Sequence, residues 1–337
     1  MTVYIGMDWS EKTPHELCFL NAAGVELHRL TILNTPQGYL ALDKARQRLG
    51  ITTQECVVGI ETHHSLMVDY LVEQGYAAIH VLSPNAVKSA QGHYRQSGAK
   101  SDRQDAHLIA DMLRTDRHKY RAWMPDRPLT RQIRAKVRLV GYLSKQIWQT
   151  ANRLHAALLR YYPLALELFS TLDSPVLLGW IQAFPTPQAA QALSYVEFVA
   201  FLRQHQHERS AKWAASYARL QTAQATATPE IGEVYAQEAQ LLAGLLNKMV
   251  HARKQLLKDI YQSFLQHPDC GIYQSLPAAG QYLEPALLAM LGDNRQRFPT
   301  HSTLQALAGT CPVTKQSGKS RLVTFRYACD HELRQIV

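Results

Sequence analysis

The sequence predicts an α/β domain over residues 1–125, a helical, coiled-coil-like region over 126–270, and a mostly α-helical unit over 271–337. Two observations carry that division. In the first third, short apolar runs bounded by turn residues alternate with helical patterns. In the middle, two long helical patterns at 128–161 and 230–265 flank a proline-punctuated stretch.

Val3–Asp8, Glu16–Leu20 and Val25–Leu33 read as strands, with Asn21-Ala22-Ala23-Gly24 as the hairpin turn between the second and third. Pro36–Leu49 opens on a proline and stops at Gly50, which are start and stop signals for a helix. Cys56–Glu61 is a short apolar strand, followed by a helix to Glu73 and a further strand at Ala77–Leu82. Hairpin strands followed by alternating helices and strands predict a mixed sheet with helices on its faces. Ile133, Val137, Val140, Ile147, Leu154 and Leu158 form an apolar stripe on the first long helix. Tyr235, Ala239, Leu242, Leu245, Met249, Ala252, Leu256, Ile260 and Phe264 do so on the second. These helices are expected to pair as an antiparallel coiled coil or to meet another subunit. Residues 162–229, with Pro163, Pro175, Pro185, Pro187 and Pro229, read as an inserted helical lobe.

The chain has 337 residues, 46% of them apolar, and a formal charge of +9, so an ordinary globular core and a polyanionic partner are expected. The charge is concentrated: Arg95 to Arg160 holds fifteen Lys/Arg against five Asp and no Glu. One contiguous surface is therefore expected to meet phosphate, with Lys100, Arg103, Arg131, Arg134, Lys136, Arg138 and Lys145 as candidate contacts. The five cysteines are odd in number and none is paired at C-x-x-C spacing, which argues against a disulfide framework or zinc site. No signal-peptide pattern or membrane-length apolar run is present, and a cytoplasmic, bacterial, nucleoid-associated protein is expected.

Asp8 ends the first strand, where alternation sets Tyr4, Gly6 and Asp8 on one face. Glu61 ends a later strand in the same way, behind Val57 and Gly59. The glycine two residues before each acid reads as room beside the carboxylate for metal or substrate. Asp102 and Asp105 follow a plausible N-cap, Ser101, and project from one face of a first helical turn. Four hard oxygen donors so placed suit two Mg²⁺ ions acting on a phosphodiester. Taken singly, each acid is equally at home as a turn, cap or dipole-complementing residue.

Toward the C-terminus, Leu276-Pro277-Ala278-Ala279-Gly280 and a helix ending at Gly292 resemble a helix-hairpin-helix, followed by Arg295, Arg297 and Phe298. Gly318-Lys319-Ser320 suggests a phosphate loop, but Val313 occupies its first glycine position and no strand is expected before it. Ser317 lies in a basic, glycine-containing loop with Lys315, Lys319 and Arg321, and a serine there could attack a phosphodiester if activated.

Together these segments resemble the DEDD transposases of bacterial insertion sequences, a family of bridge-RNA-guided recombinases. The resemblance runs through Ile5-Gly6-Met7-Asp8, Gly59-Ile60-Glu61-Thr62 and Lys100-Ser101-Asp102-Arg103-Gln104-Asp105-Ala106. It resumes at Leu276–Gly292, Arg297-Phe298, Leu307-Ala308-Gly309 and Gln316-Ser317-Gly318, covering about two-thirds of the chain. It implies an RNase H-like (RuvC-like) N-terminal domain, a coiled coil and a C-terminal transposase domain. Asp8, Glu61, Asp102 and Asp105 would then bind Mg²⁺, and Ser317 would be the nucleophile forming a 5′-phosphoserine link. The acids of one subunit would act with the serine of another. The implied partners are donor and target double-stranded DNA, an element-encoded guide RNA, and further copies of the chain in a dimer or tetramer. The sequence departs from the family where Ala278 replaces the first glycine of the usual Pro-Gly-Ile-Gly turn, and residues 162–229 look longer than the usual middle region. Relatives also commonly continue past the position of Leu333-Arg334, so a shortened end is expected. Two other readings fit the acids: a RuvC-like Mg²⁺-dependent structure-selective endonuclease that hydrolyses without Ser317, and a non-catalytic nucleic-acid binder.

Overall fold

A computed structural model describes the chain except residues 10–13, 63–64, 95–100, 208–209, 223–225 and 278, and the side chains of 93 and 94. It divides into two compact units, Met1–Pro125 and Asp126–Val337.

The first unit is built on a six-stranded sheet. Its strands are β1 (Val3–Asp8), β2 (His15–Leu20), β3 (Glu26–Ile32), β4 (Cys56–Ile60), β5 (Ala78–Val81) and β6 (Ala122–Trp123). They lie in the order β3-β2-β1-β4-β5-β6. β1, β4 and β5 are parallel, whereas the β2–β3 hairpin and β6 are antiparallel to their neighbours. The helices are α1 (Pro36–Arg48), α2 (Leu66–Glu73), α3 (Pro84–Tyr94) and α4 (Asp102–Asp116). Period-two alternation divides each strand between two faces. Val3, Ile5, Met7, Val58 and Ile60 pack with Tyr39 and Leu42 of α1 and Met67, Val68 and Leu71 of α2. The alternate residues, Tyr4 and Val57 among them, face Leu108, Ile109, Met112 and Leu113 of α4. This mixed sheet, near the N-terminus of a mostly helical chain, is compatible with an RNase H-like fold. The helix α3 and the short β6 were not foreseen in the sequence; β6 has only two residues, too few to show a period.

The second unit is helical. Two long helices, α5 (Pro128–Tyr161) and α11 (Pro229–Leu265), flank α6 (Pro163–Leu168), α7 (Pro175–Ala183), α8 (Pro187–Gln191), α9 (Tyr195–Gln204) and α10 (Trp213–Leu220). Proline opens α5, α6, α7, α8 and α11, where its missing N–H costs no helical bond. Leu154 and Leu158 of α5 share a core with Ala239, Leu242 and Leu246 of α11, centred on the buried Trp180. Trp180 donates its indole N–H to the Tyr162 hydroxyl at 2.9 Å. Near the other ends of the long helices, Ile133, Val137 and Val140 meet Ile260 and Phe264. The two helices therefore run antiparallel. The α5 stripe is buried as expected, but the α11 stripe is displaced: Leu245 is 46% exposed, while Ala243 and Leu246 are buried in its place.

The remaining elements are α12 (Cys270–Gln274), α13 (Gly280–Leu291), α14 (His301–Ala308), β7 (Val313–Ser317), β8 (Ser320–Thr324) and α15 (His331–Ile336). Tyr273, Ala286, Leu288 and Ala289 join the Ile133–Phe264 core. Among the described residues, no helix is long and apolar enough to cross a membrane.

Candidate active site

The acids of the first unit are placed by strand register and by one close helix contact. β1 and β4 pair in parallel with Gly6 opposite Gly59 and Met7 opposite Ile60, so Asp8 and Glu61 follow at the same end of adjacent strands. The glycines do not keep space for metal or substrate, as the sequence suggested; α4 fills it. A Cβ on Gly6 would lie 2.0 Å from the Ala106 carbonyl oxygen and 2.4 Å from the Ala110 nitrogen. A Cβ on Gly59 would meet Ile109 Cγ2 and Leu113 Cδ1, each at 2.7 Å. These two glycines let the helix backbone approach the sheet more closely than any side chain permits.

The helix direction follows from its contacts. Arg114, near the C-terminus of α4, lies beside Gly24 in the β2–β3 turn. Arg29 Nη1 on β3 donates to the Arg103 carbonyl at 2.7 Å in the first turn. The N-terminus of α4 thus points toward the strand ends that carry Asp8 and Glu61. Ser101 caps α4 by accepting from Gln104 N–H at 3.3 Å, and Asp102 and Asp105 occupy its first turn. Asp105 is buried and accepts from Gln91 Nε2 of α3 at 3.0 Å, whereas Asp102 is exposed. Gln91 was missed in the sequence, because a glutamine on a helical pattern carries no local signal of its partner. Trp9 was missed too; its ring stacks on His15 with centroids 3.6 Å apart, one residue beyond Asp8. Burial lowers the His15 pKa, favouring the neutral ring.

Among the described residues, two triads hold potential ligand atoms within 4.8 Å of one another, and the four acids do not form such a triad. Neither triad is suited to metal. In the first, Cys18, Glu26 and His107, burial and then the Glu26 charge push the Cys18 thiol up to about 12, and Arg29 already bonds Glu26. In the second, both His267 nitrogens are engaged: Nδ1 accepts from Asp269 N–H at 3.1 Å, and Nε2 lies 3.0 Å from Asp293 Oδ1. Four carboxylates, two of them in a helix first turn, are the hard oxygens that a divalent ion prefers.

In the second unit Ser317 is not in a loop. It ends β7 and pairs with Ser320 of β8 across the two-residue turn Gly318-Lys319. Gly318 has φ +55°, the left-handed conformation such turns require. A strand therefore does precede Gly318-Lys319-Ser320, contrary to expectation, but a strand also follows it. A phosphate loop needs a helix there, so that motif stays excluded. Ser317, Lys315, Lys319 and Arg321 are all exposed on this hairpin.

The other basic candidates divide by what they touch. Arg103, Arg131, Arg138, Lys145 and Arg297 are exposed and Lys136 is half-buried; Lys100 lies outside the described residues, as does Ala278. Arg138 approaches Glu332 at 3.9 Å, and the Arg297 guanidinium lies 5.4 Å from the Phe298 ring centroid. Arg134 differs from the rest. Its Nε donates to the Ala289 carbonyl at 2.6 Å and its Nη2 pairs with Asp126 at 2.5 Å, which ties α5 to α13 and makes it a structural residue.

Comparison with known proteins finds matches in both units. A DEDD transposase family model of the IS110 type matches residues 5–163, and the model described as Transposase IS116/IS110/IS902 family matches residues 270–337. A protein assigned as the mini-circle transposase for IS117 of Streptomyces coelicolor is 28% identical over 99% of this chain and 82% of its own length. The uncharacterized 43.6 kDa protein of insertion element IS110 from the same species is 28% identical over 66% of this chain and 55% of its own. The uncharacterized 42 kDa protein of IS900 from Mycobacterium paratuberculosis is 27% identical over 76% of this chain and 63% of its own. With both family models matched in chain order and one relative aligned along 99% of this chain, the chain belongs to the IS110-family DEDD transposases of insertion sequences, enzymes that cleave and transfer DNA.

Proposed function

We propose that this transposase exchanges DNA strands through Ser317, with Asp8, Glu61, Asp102 and Asp105 holding two Mg²⁺ ions and a structured RNA guiding it to donor and target. The observation that carries the acidic half is the seating of α4 on Gly6, which turns Asp102 and Asp105 toward the strand ends bearing Asp8 and Glu61. When bound, the ions would supply charge stabilisation at the scissile phosphate. The carboxylates would hold them, and the buried Asp105 is tied to Gln91 of α3.

The Ser317 oxygen attacks phosphorus, forming the Oγ–P bond as the P–O3′ bond breaks. The serine proton passes to the departing 3′ oxygen, leaving a 5′-phosphoserine. Attack by a 3′-hydroxyl of another strand reverses these steps, so strands are joined without hydrolysis. An exposed hairpin tip with Lys319 beside the serine and Lys315 and Arg321 along the strands supports this reading. Sequence choice delegated to base pairing would leave few base-reading side chains in the protein. Because the reaction joins acids of one copy to the serine of another, the active form is a dimer or tetramer.

The test is incubation of the full-length protein with its RNA, DNA substrate and Mg²⁺. A protein–DNA adduct resistant to denaturation should form with wild type and disappear in both Ser317→Ala and Asp8→Asn. Cleavage that persists in Ser317→Ala, with free 5′-phosphate ends, would instead assign the chain as a hydrolytic nuclease.

A further inference from the structure

Helix α11 carries two apolar faces, and the fold of one chain covers one of them. Ala236, Ala239, Leu242, Ala243 and Leu246 are buried in the core around Trp180. Ile231, Val234, Leu241 and Leu245 lie on another side of the helix and are between 45% and 65% exposed. Single exposed apolar residues are ordinary on a protein surface. These four are not scattered. With Glu238, Lys248 and Ala252 they follow one another at steps of three and four residues, the spacing of a seam between two helices.

The helix is also divided by charge. From Pro229 to Asn247 it has Glu230, Glu233 and Glu238 and no Lys or Arg; from Lys248 to Leu265 it has Lys248, Arg253, Lys254 and Lys258 against Asp259 alone. We infer that this seam docks on the same seam of a second copy of the chain, antiparallel, about a two-fold axis at the level of Ala243. In that register Leu241 meets Leu245 of the second copy, twice by symmetry, and Val234 meets Ala252. Lys248 comes to Glu238, which Arg153 of α5 holds at 2.7 Å, and the exposed Glu230 and Lys258 meet on the flank. A parallel pair would instead set acidic half against acidic half and basic half against basic half. Nucleic acid does not suit this face, because its first half is acidic. The inference deepens the dimer or tetramer of the proposed function by naming a surface, and rests on that reading only in expecting more than one copy.

Sedimentation velocity of the full-length protein over a concentration series, without nucleic acid or metal, reads the association. Wild type should self-associate. Leu241→Glu with Leu245→Glu removes four leucines from the paired seam and should raise the dissociation constant roughly a hundredfold or more. Circular dichroism should be unchanged, since both side chains are exposed. Disulfide cross-linking reads the orientation. Val234→Cys and Ala252→Cys are made in separate chains, then mixed and allowed to exchange. A cross-link should form only in the mixture, because each residue lies about 27 Å along the helix axis from its own symmetry mate. The wild-type chain, with its native cysteines, is the blank. Neither measurement involves Ser317 or the acids, so the assignment can fail while the protein–DNA adduct still forms, and can stand when the adduct does not. A monomer at every concentration, association unchanged in the glutamate variant, or a cross-link within either single population would overturn it.

Discussion

Gly6→Ala tests how the acidic turn is positioned. The added methyl would meet two backbone atoms of α4, at 2.0 Å and 2.4 Å, and neither can rotate away as a side chain can. Ordinary contact begins at 3.4 Å, so the shorter of the two requires a shift of about 1.4 Å between helix and strand. Overpacking of this kind costs about 1–3 kcal/mol, which corresponds to a melting temperature lower by roughly 4–15 °C for a unit of this size. The catalytic cost should be larger, because a misplacement of about 1 Å removes roughly a hundredfold in rate. Gly59→Ala is the control. Its methyl meets side-chain carbons alone, Ile109 Cγ2 and Leu113 Cδ1 at 2.7 Å and Leu82 Cδ1 at 3.2 Å, which can shift where backbone cannot, so its cost should be smaller than that of Gly6→Ala. Thermal unfolding by circular dichroism, together with metal-dependent DNA cleavage, would measure both variants. If Gly6→Ala melts with wild type, or Gly59→Ala is the more damaging of the two, the account of how α4 is seated is wrong.

The basic residues should separate into two classes. Arg134→Ala should lower the melting temperature, because the Ala289 carbonyl and Asp126 lose their partner, by about 1–3 kcal/mol in stability. Lys145→Ala should leave melting unchanged and reduce DNA affinity with a shallower salt dependence, as filter binding across a salt series would read. Stability should also depend on Asp293. Burial works to raise its pKa, but hydrogen bonds from Arg127 N–H, Thr130 and His267 outweigh it and leave the carboxyl below its ordinary value. Its contribution is therefore present above the unfolded-state pKa of about 3.9 and is lost as pH falls through the folded value. Urea unfolding at neutral pH should show Asp293→Asn destabilised, and the gap to wild type should narrow near pH 3 on that scale.

The sequence was most legible where one face of an element has one job. The strands β1 and β4 alternate cleanly because Val3, Ile5 and Met7 meet one helical layer while Tyr4 and Gly6 meet another. The bounds of α5 and α11 followed from Pro128 and Pro229 at their starts. Reading failed where the cause is non-local. In the sequence Gly6 and Gly59 read as space for a ligand, because a strand glycine does not say which neighbour approaches it. Ser317 was placed in a loop because Thr314, Lys315, Gln316, Ser320 and Arg321 are polar on both faces. The hairpin is exposed on both sides, so no apolar alternation marked its strands.

The arrangement of α4 bears on whether its charges serve stability or chemistry. Asp102 and Asp105 at its start and Arg114 near its end complement the helix dipole, and such charges contribute about 0.3–1 kcal/mol each at exposed positions. That benefit is available to any acid in the first turn with its carboxylate in water. It does not explain why Asp105 is buried, why Gln91 is turned to it from another helix, or why two adjacent strands give up side chains at Gly6 and Gly59 to bring this helix down. The packing is better explained by a requirement on where the carboxylates stand. Under the proposed function that requirement is set by Asp8 and Glu61, which follow the parallel register of β1 and β4 at one end of adjacent strands.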